Sequence, residues 1–208
     1  MPGRRGQATR QRLLECTLAT LASGSYRDIK VVDIAREAGT SPATFYQYFT
    51  DVDAAIAQLA MDMAADGAVV LGDLLAGTDW DGAGAEASVR RLVAGFLAFW
   101  DANRPLMAVI DLKAAEGEGR IRSTRKHLLA QFSTELAAQV RGHRGDGGPE
   151  VDPWAMASVA VTMLVNVAIQ RDVFAASRIS EGDLVDSVAR LLLAAVTGAA
   201  GPPAELPG

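Results

Sequence analysis

Between Ala38 and Pro42 the chain has to end one helix and begin another. Gly39 takes the positive φ that closes a helix at its C′ position at no steric cost. Ser41 suits an N-cap, and Pro42 suits the first helical position that follows it. On one side, Val31, Ile34, Ala35 and Ala38 recur at helical spacing and make one apolar face. On the other, Phe45 and Phe49 stand four apart and make the inner face of the next helix. Two short helices joined by so tight a turn form a helix-turn-helix. The outward positions of the second helix are then Ala43, Thr44, Tyr46 and Gln47, with Tyr48 at the edge.

That outward set suits the major groove of DNA. Thr44 and the tyrosine hydroxyls of Tyr46 and Tyr48 can bond phosphates, and the free N–H groups of a helix start favour the same anions. Gln47 can read an adenine edge, and Ala43 can touch a thymine methyl. Pro42 and Ala43 are small enough to let the backbone approach the bases. Arg4, Arg5, Arg10 and Arg12 precede or open the first helix and can add backbone contacts. The plainer reading of Thr44, Tyr46 and Gln47 is a polar surface, and Phe45, Phe49 and Tyr26 are core residues first.

Net charge is −5 over 208 residues, which does not describe a polycationic nucleic-acid coat. The charge is unevenly spread. Residues 1–50 hold seven basic and four acidic side chains, leaving 13 basic and 21 acidic in the remainder. The helix-turn-helix thus sits in a segment of +3 and the rest carries −8. Half of the residues are hydrophobic and 22% are charged, in keeping with a folded chain. A single cysteine, Cys16, excludes an internal disulfide and a cysteine-cluster metal site. No Ser/His/Asp order, phosphate-cradling glycine loop or Glu-x-x-His motif is present, so neither an enzyme nor a cofactor is expected. The basic N-terminus has no apolar core of a secretory signal, and the longest apolar run, about 155–169, is short for a bilayer span. A cytoplasmic protein with no membrane partner is the expectation.

Beyond the motif nearly everything reads as helix, because apolar residues recur at three- and four-residue spacing. Helices are expected near 8–23, 30–37, 41–47, 51–76, 84–102, 104–115, 120–141, 152–177 and 181–197. The fold class is all-α. Residues 1–50 form a three-helix DNA-binding domain, 51–198 a larger helical body, and 199–208 a flexible Pro/Gly-rich tail. Thr50 with Asp53 reads as a capping box for the fourth helix. Converging apolar helices of the body offer Phe96, Trp100, Met107, Ile110, Phe132, Met163, Asn166, Gln170 and Phe174 as the lining of a site for an apolar ligand with a polar handle. Each aromatic or Met in that set equally suits ordinary core. Asn166, an amide in an apolar helix, needs a partner in ligand, backbone or a second copy.

Over about residues 9–56 the chain resembles the TetR (tetracycline-repressor-like) family of bacterial transcription regulators. The resemblance rests on Leu13-Leu14, Leu18, Leu21-Ala22, Tyr26, Ile34-Ala35, Ala38-Gly39, Ser41-Pro42, Thr44-Phe45-Tyr46 and Tyr48-Phe49. It implies a homodimer, joined through the last two helices, that binds double-stranded palindromic operator DNA and is released by a small effector molecule. Thr44, Tyr46 and Tyr48 fall where members contact phosphates, and Pro42, Ala43 and Gln47 where they face bases. Two positions depart from the pattern. Lys30 stands where a threonine is common, with a phosphate contact open to its ammonium. Val52, between Asp51 and Asp53, stands where a lysine is common, which would place negative charge near the DNA. The functional expectation is a ligand-responsive regulator, a repressor. The alternative is a helical small-molecule binding protein without specific DNA binding.

Overall fold

A computed structural model describes residues 3–24, 26–116, 119–144 and 151–198, with the backbone alone at 114–115 and 119–127. The described residues form ten α-helices and no strand. The helices are α1 (Arg4–Ser23), α2 (Val31–Glu37), α3 (Pro42–Tyr46), α4 (Val52–Ala76), α5 (Ala85–Ala102), α6 (Arg104–Ala115), α7 (Gly119–Arg144), α8 (Pro153–Ile169), α9 (Arg171–Ala176) and α10 (Glu181–Thr197). A single 3-10 turn, Tyr26–Asp28, leads into α2. The all-α expectation holds. The expected tail, 199–208, lies outside the described residues.

Helix ends follow their local chemistry. Ser41 caps α3, accepting the Thr44 N–H, with Pro42 next to it. Asp152 does the same for α8 and Ser180 for α10. Gly39 has φ +67°, and the Thr40 N–H reaches the Ala35 carbonyl, closing α2 in a Schellman turn. Arg144 caps the other end of α10, donating to the Ala194 and Ala195 carbonyls. The expected capping box at α4 is corrected: the N-cap is Asp51, whose carboxylate accepts the Ala54 N–H at 2.7 Å. Asp53, two residues further on, is engaged elsewhere.

The expected helix 152–177 is broken in two at Gln170, which carries no local breaker. Its cause is tertiary. The Arg171 guanidinium bonds Asp101 at the end of α5 and Glu181 at the start of α10, and α9 turns away to meet both.

The chain packs as two compact units. The first comprises residues 1–66 and 103–127, so α6 belongs with the helix-turn-helix; the second comprises 67–102 and 128–208. The partition falls inside α4, not at the 50/51 boundary drawn from sequence. The first core gathers Leu13 and Leu14 of α1, Ile34 and Ala38 of α2, Phe45 and Phe49, and Ala55 of α4. The second packs α5 against α8 and α10, with Phe96, Leu92 and Leu192 fully enclosed.

By length and composition α4 could cross a membrane, unlike anything expected from sequence. It carries exposed Asp62, Asp66 and Asp73 along a length whose other face is core, an arrangement that hydrocarbon would penalise.

Candidate nucleic-acid interface

The two-helix motif is built around one alternation. Phe45 is fully buried, touching Phe49 at 5.5 Å between ring centroids, while its neighbour Tyr46 is 58% exposed. Burial of the two phenylalanines sets the rotation of α3 and so sends the remaining side chains outward. Pro42, Ala43, Tyr46 and Gln47 are exposed, as the sequence predicts. Thr44 and Tyr48 are only half-buried, and the Thr44 hydroxyl sits 3.0 Å from that of Ser41. Lys30 is the exposed N-cap of α2 and makes no side-chain cap bond, as expected for a residue without a short hydroxyl.

The arginines of α1 fall into different settings. Arg10 turns inward, its guanidinium 5.4 Å from the Phe49 ring centroid. Arg5 and Arg12 instead line a cleft of about 620 Å³, together with Thr9 of α1, Gly39 and Thr40 of the turn, and Thr44 and Tyr48. Sequence reasoning named the arginines as a group and could not separate them.

The acidic pair at the start of α4 is also resolved. Asp51 serves as a cap. Asp53 accepts a hydrogen bond from the Tyr26 hydroxyl and one from the Lys113 ammonium of α6 at 2.5 Å. Lys113 is buried, and its ammonium lies 5.0 Å from the Tyr26 ring centroid. Desolvation pushes the Asp53 carboxyl up, but the Lys113 and Tyr26 bonds outweigh it and hold the group below its usual range. Burial likewise depresses Lys113, and the bond to Asp53 reverses that and raises it. Burial and then the Asp53 carboxylate raise Tyr26, so its hydroxyl stays protonated. The expectation that Asp53 presents bare negative charge is therefore corrected, because a lysine 60 residues away neutralises it. Tyr26 is likewise only half-buried, anchored by its hydroxyl as well as by its ring.

The residues proposed for a ligand are divided. Phe96, Trp100 and Phe132 meet in the second unit, with Phe96 stacked on Trp100 at 6.0 Å and tilted against Phe132 at 5.6 Å. Met163 and Phe174 are half-buried in that unit. Met107 and Ile110 are buried in α6, in the first unit. Asn166 and Gln170 are exposed, and Asn166 donates to the Thr162 carbonyl at 3.2 Å. Asn166 is thus no buried amide. The exposed face of α8 carries Trp154, Val159 and Ile169 beside Ser158, Thr162 and Asn166, so apolar side chains alone do not mark its buried face.

Residues 13–57 match the bacterial regulatory proteins of the tetR family, and residues 71–203 match the tetracyclin repressor-like C-terminal domain. The chain belongs to the TetR family. Its similarity to an HTH-type transcriptional regulator of Mycobacterium tuberculosis is 40% identity over 60 residues, 29% of this chain and 28% of that protein. The chain therefore matches under a third of the length of the curated relatives. A putative TetR-family regulator from Mesorhizobium loti shares the fold at a TM-score of 0.72 and 18% identity, over 94% of this chain and 98% of that one. Thermus thermophilus FadR, a TetR-family repressor in complex with lauroyl-CoA, aligns at 0.58 and 17% over 96% and 99%. In this TetR-family chain the helix-turn-helix lies within the N-terminal match, and the repressor-like C-terminal match follows it.

Proposed function

We propose that the protein is a ligand-responsive repressor that works in the cytoplasm as a homodimer. It binds a palindromic operator and is released by a small apolar effector. The observation that carries the DNA reading is the recognition surface itself: Tyr46 and Gln47 exposed beside a fully buried Phe45. Lys30, Ser41, Thr44, Tyr46 and Tyr48 hold backbone phosphates, while Pro42, Ala43 and Gln47 face base edges. In support of the dimer, α8 leaves Trp154, Val159 and Ile169 in solvent and α10 leaves Leu191, with Val159 67% and Leu191 59% exposed. Two-fold symmetry would then set two recognition helices one DNA turn, about 34–36 Å, apart. The effector is assigned to the aromatic cluster of Phe96, Trp100 and Phe132 with Met163 and Phe174. The lauroyl-CoA complex of the Thermus relative supports an acyl-like, apolar molecule. Release follows if the effector binds better to a dimer whose recognition helices are mis-spaced.

The test is selection of bound duplexes from a random library, followed by mobility shift with Tyr46→Ala and Gln47→Ala. A palindrome should be recovered, and both variants should weaken it, Gln47→Ala with relaxed base preference at one position per half-site. Binding that neither variant changes would refute the recognition-helix assignment. Failure to recover any duplex would favour a small-molecule binding protein instead.

A further inference from the structure

The cleft beside the recognition helix has two walls from different parts of the chain. One is the first face of α1, where Arg5, Thr9 and Arg12 recur at i, i+4 and i+7. The other is the α2–α3 turn with Thr44 and Tyr48, two of the side chains assigned to phosphates above. Arg5 and Arg12 are exposed, and among the described residues neither lies within ion-pair distance of a carboxylate. The Thr9 hydroxyl proton is already given to the Arg5 carbonyl, so the cations of this wall are the two guanidiniums. Gly39 keeps the floor open, since no side chain stands there.

We propose that this cleft is a backbone groove for DNA, in which Arg5 and Arg12 clamp the same strand that Thr44 and Tyr48 touch. The inference rests on α3 being the recognition helix. Guanidinium groups pair well with phosphate, and they carry no base information, so this wall contributes affinity and register rather than sequence choice. Seven residues separate the two arginines, about 10 Å along the helix, so they address different phosphates of one strand. Arg10, on the same helix, is held against Phe49 and takes no part. The chain is thereby given cationic contacts at α1, while the start of α4 carries Val52 and two engaged aspartates.

The pattern separates local contact from general charge. Binding of the purified dimer to a mixed-sequence duplex of about 30 base pairs, and to the selected palindrome, is measured by anisotropy across a KCl series. Arg5→Ala and Arg12→Ala should each make the slope of log K against log salt shallower by about two per dimer, one phosphate per subunit. The ratio of specific to mixed-sequence binding should hold, and thermal melts should match wild type. Arg10→Ala should keep the wild-type slope and melt at lower temperature. A double Arg5→Ala/Arg12→Ala variant with the wild-type slope would overturn the groove, as would an Arg10→Ala slope equally flattened. If Tyr46→Ala loses binding while the arginine variants keep their slopes, the recognition helix stands and the groove falls. If wild type binds no duplex, both fall.

Discussion

At the residue scale, the turn into α3 depends on two side chains with different tasks. Gly39 supplies a left-handed backbone, and Ser41 supplies an acceptor for the Thr44 N–H at 3.2 Å. Ser41→Ala should cost about 1 kcal/mol, the ordinary worth of such a cap, read as a lower denaturation midpoint. Ser41→Asp should restore most of that stability and still bind DNA less well, because it sets a carboxylate where phosphate is expected. Equal DNA affinity for the Ala and Asp variants would argue against a phosphate near this position. These tasks were readable in advance because each depends only on neighbours within three or four residues. The setting of Arg10 was not, since its partner Phe49 is brought close by folding.

At the scale of elements, the Tyr26–Asp53–Lys113 cluster ties the 3-10 turn, α4 and α6 together within the first unit. Its two charges are unequally placed. The Lys113 side chain is 8% exposed, whereas that of Asp53 is 42% exposed. Removing the acid takes its carboxylate partner from a buried ammonium; removing the base leaves a carboxylate that water can reach. Asp53→Ala should therefore destabilise by about 1–3 kcal/mol, below the 3–5 of a fully buried pair because solvent screens Asp53. Lys113→Met should cost clearly less, and the opposite order in urea melts would refute this account. The pH dependence follows from the two directions. Asp53 is held below its unfolded value, so its contribution is present above about pH 4 and is lost as pH falls through its folded value. Lys113 is held above its unfolded value, so its contribution is complete below about pH 10 and is lost only as pH rises through its folded value. The gap in melting temperature between wild type and Asp53→Asn should be flat from about pH 5 to 9 and should close in acid. A gap that widens below pH 4 would contradict it.

At the scale of the whole molecule, α8 leaves several large apolar side chains exposed in the second unit, and α10 leaves Leu191. Trp154, Val159 and Ile169 on α8 and Leu191 on α10 exceed the scattered apolar exposure that needs no explanation. Val159→Asp with Leu191→Asp should give a monomer by sedimentation. It should lose the palindrome by about 100-fold or more while retaining weak mixed-sequence binding, because two half-sites no longer share one rigid body. A double variant that stays dimeric would move the interface elsewhere.

The amino-acid sequence by itself determined the helical class, the helix-turn-helix with its turn, caps and outward face, and most helix ends. Each of these is decided by periodicity and by side chains that bond a backbone only a few positions away. Tertiary structure alone decided which arginines of α1 face the cleft, that α6 packs with the first unit, that Lys113 neutralises Asp53, and that Asn166 is exposed. It also decided the break at Gln170, where Arg171 answers to Asp101, 70 residues earlier. In these cases the deciding partner is distant in the chain, or the choice lies between two faces of one helix that both carry apolar side chains. Periodicity is silent on both.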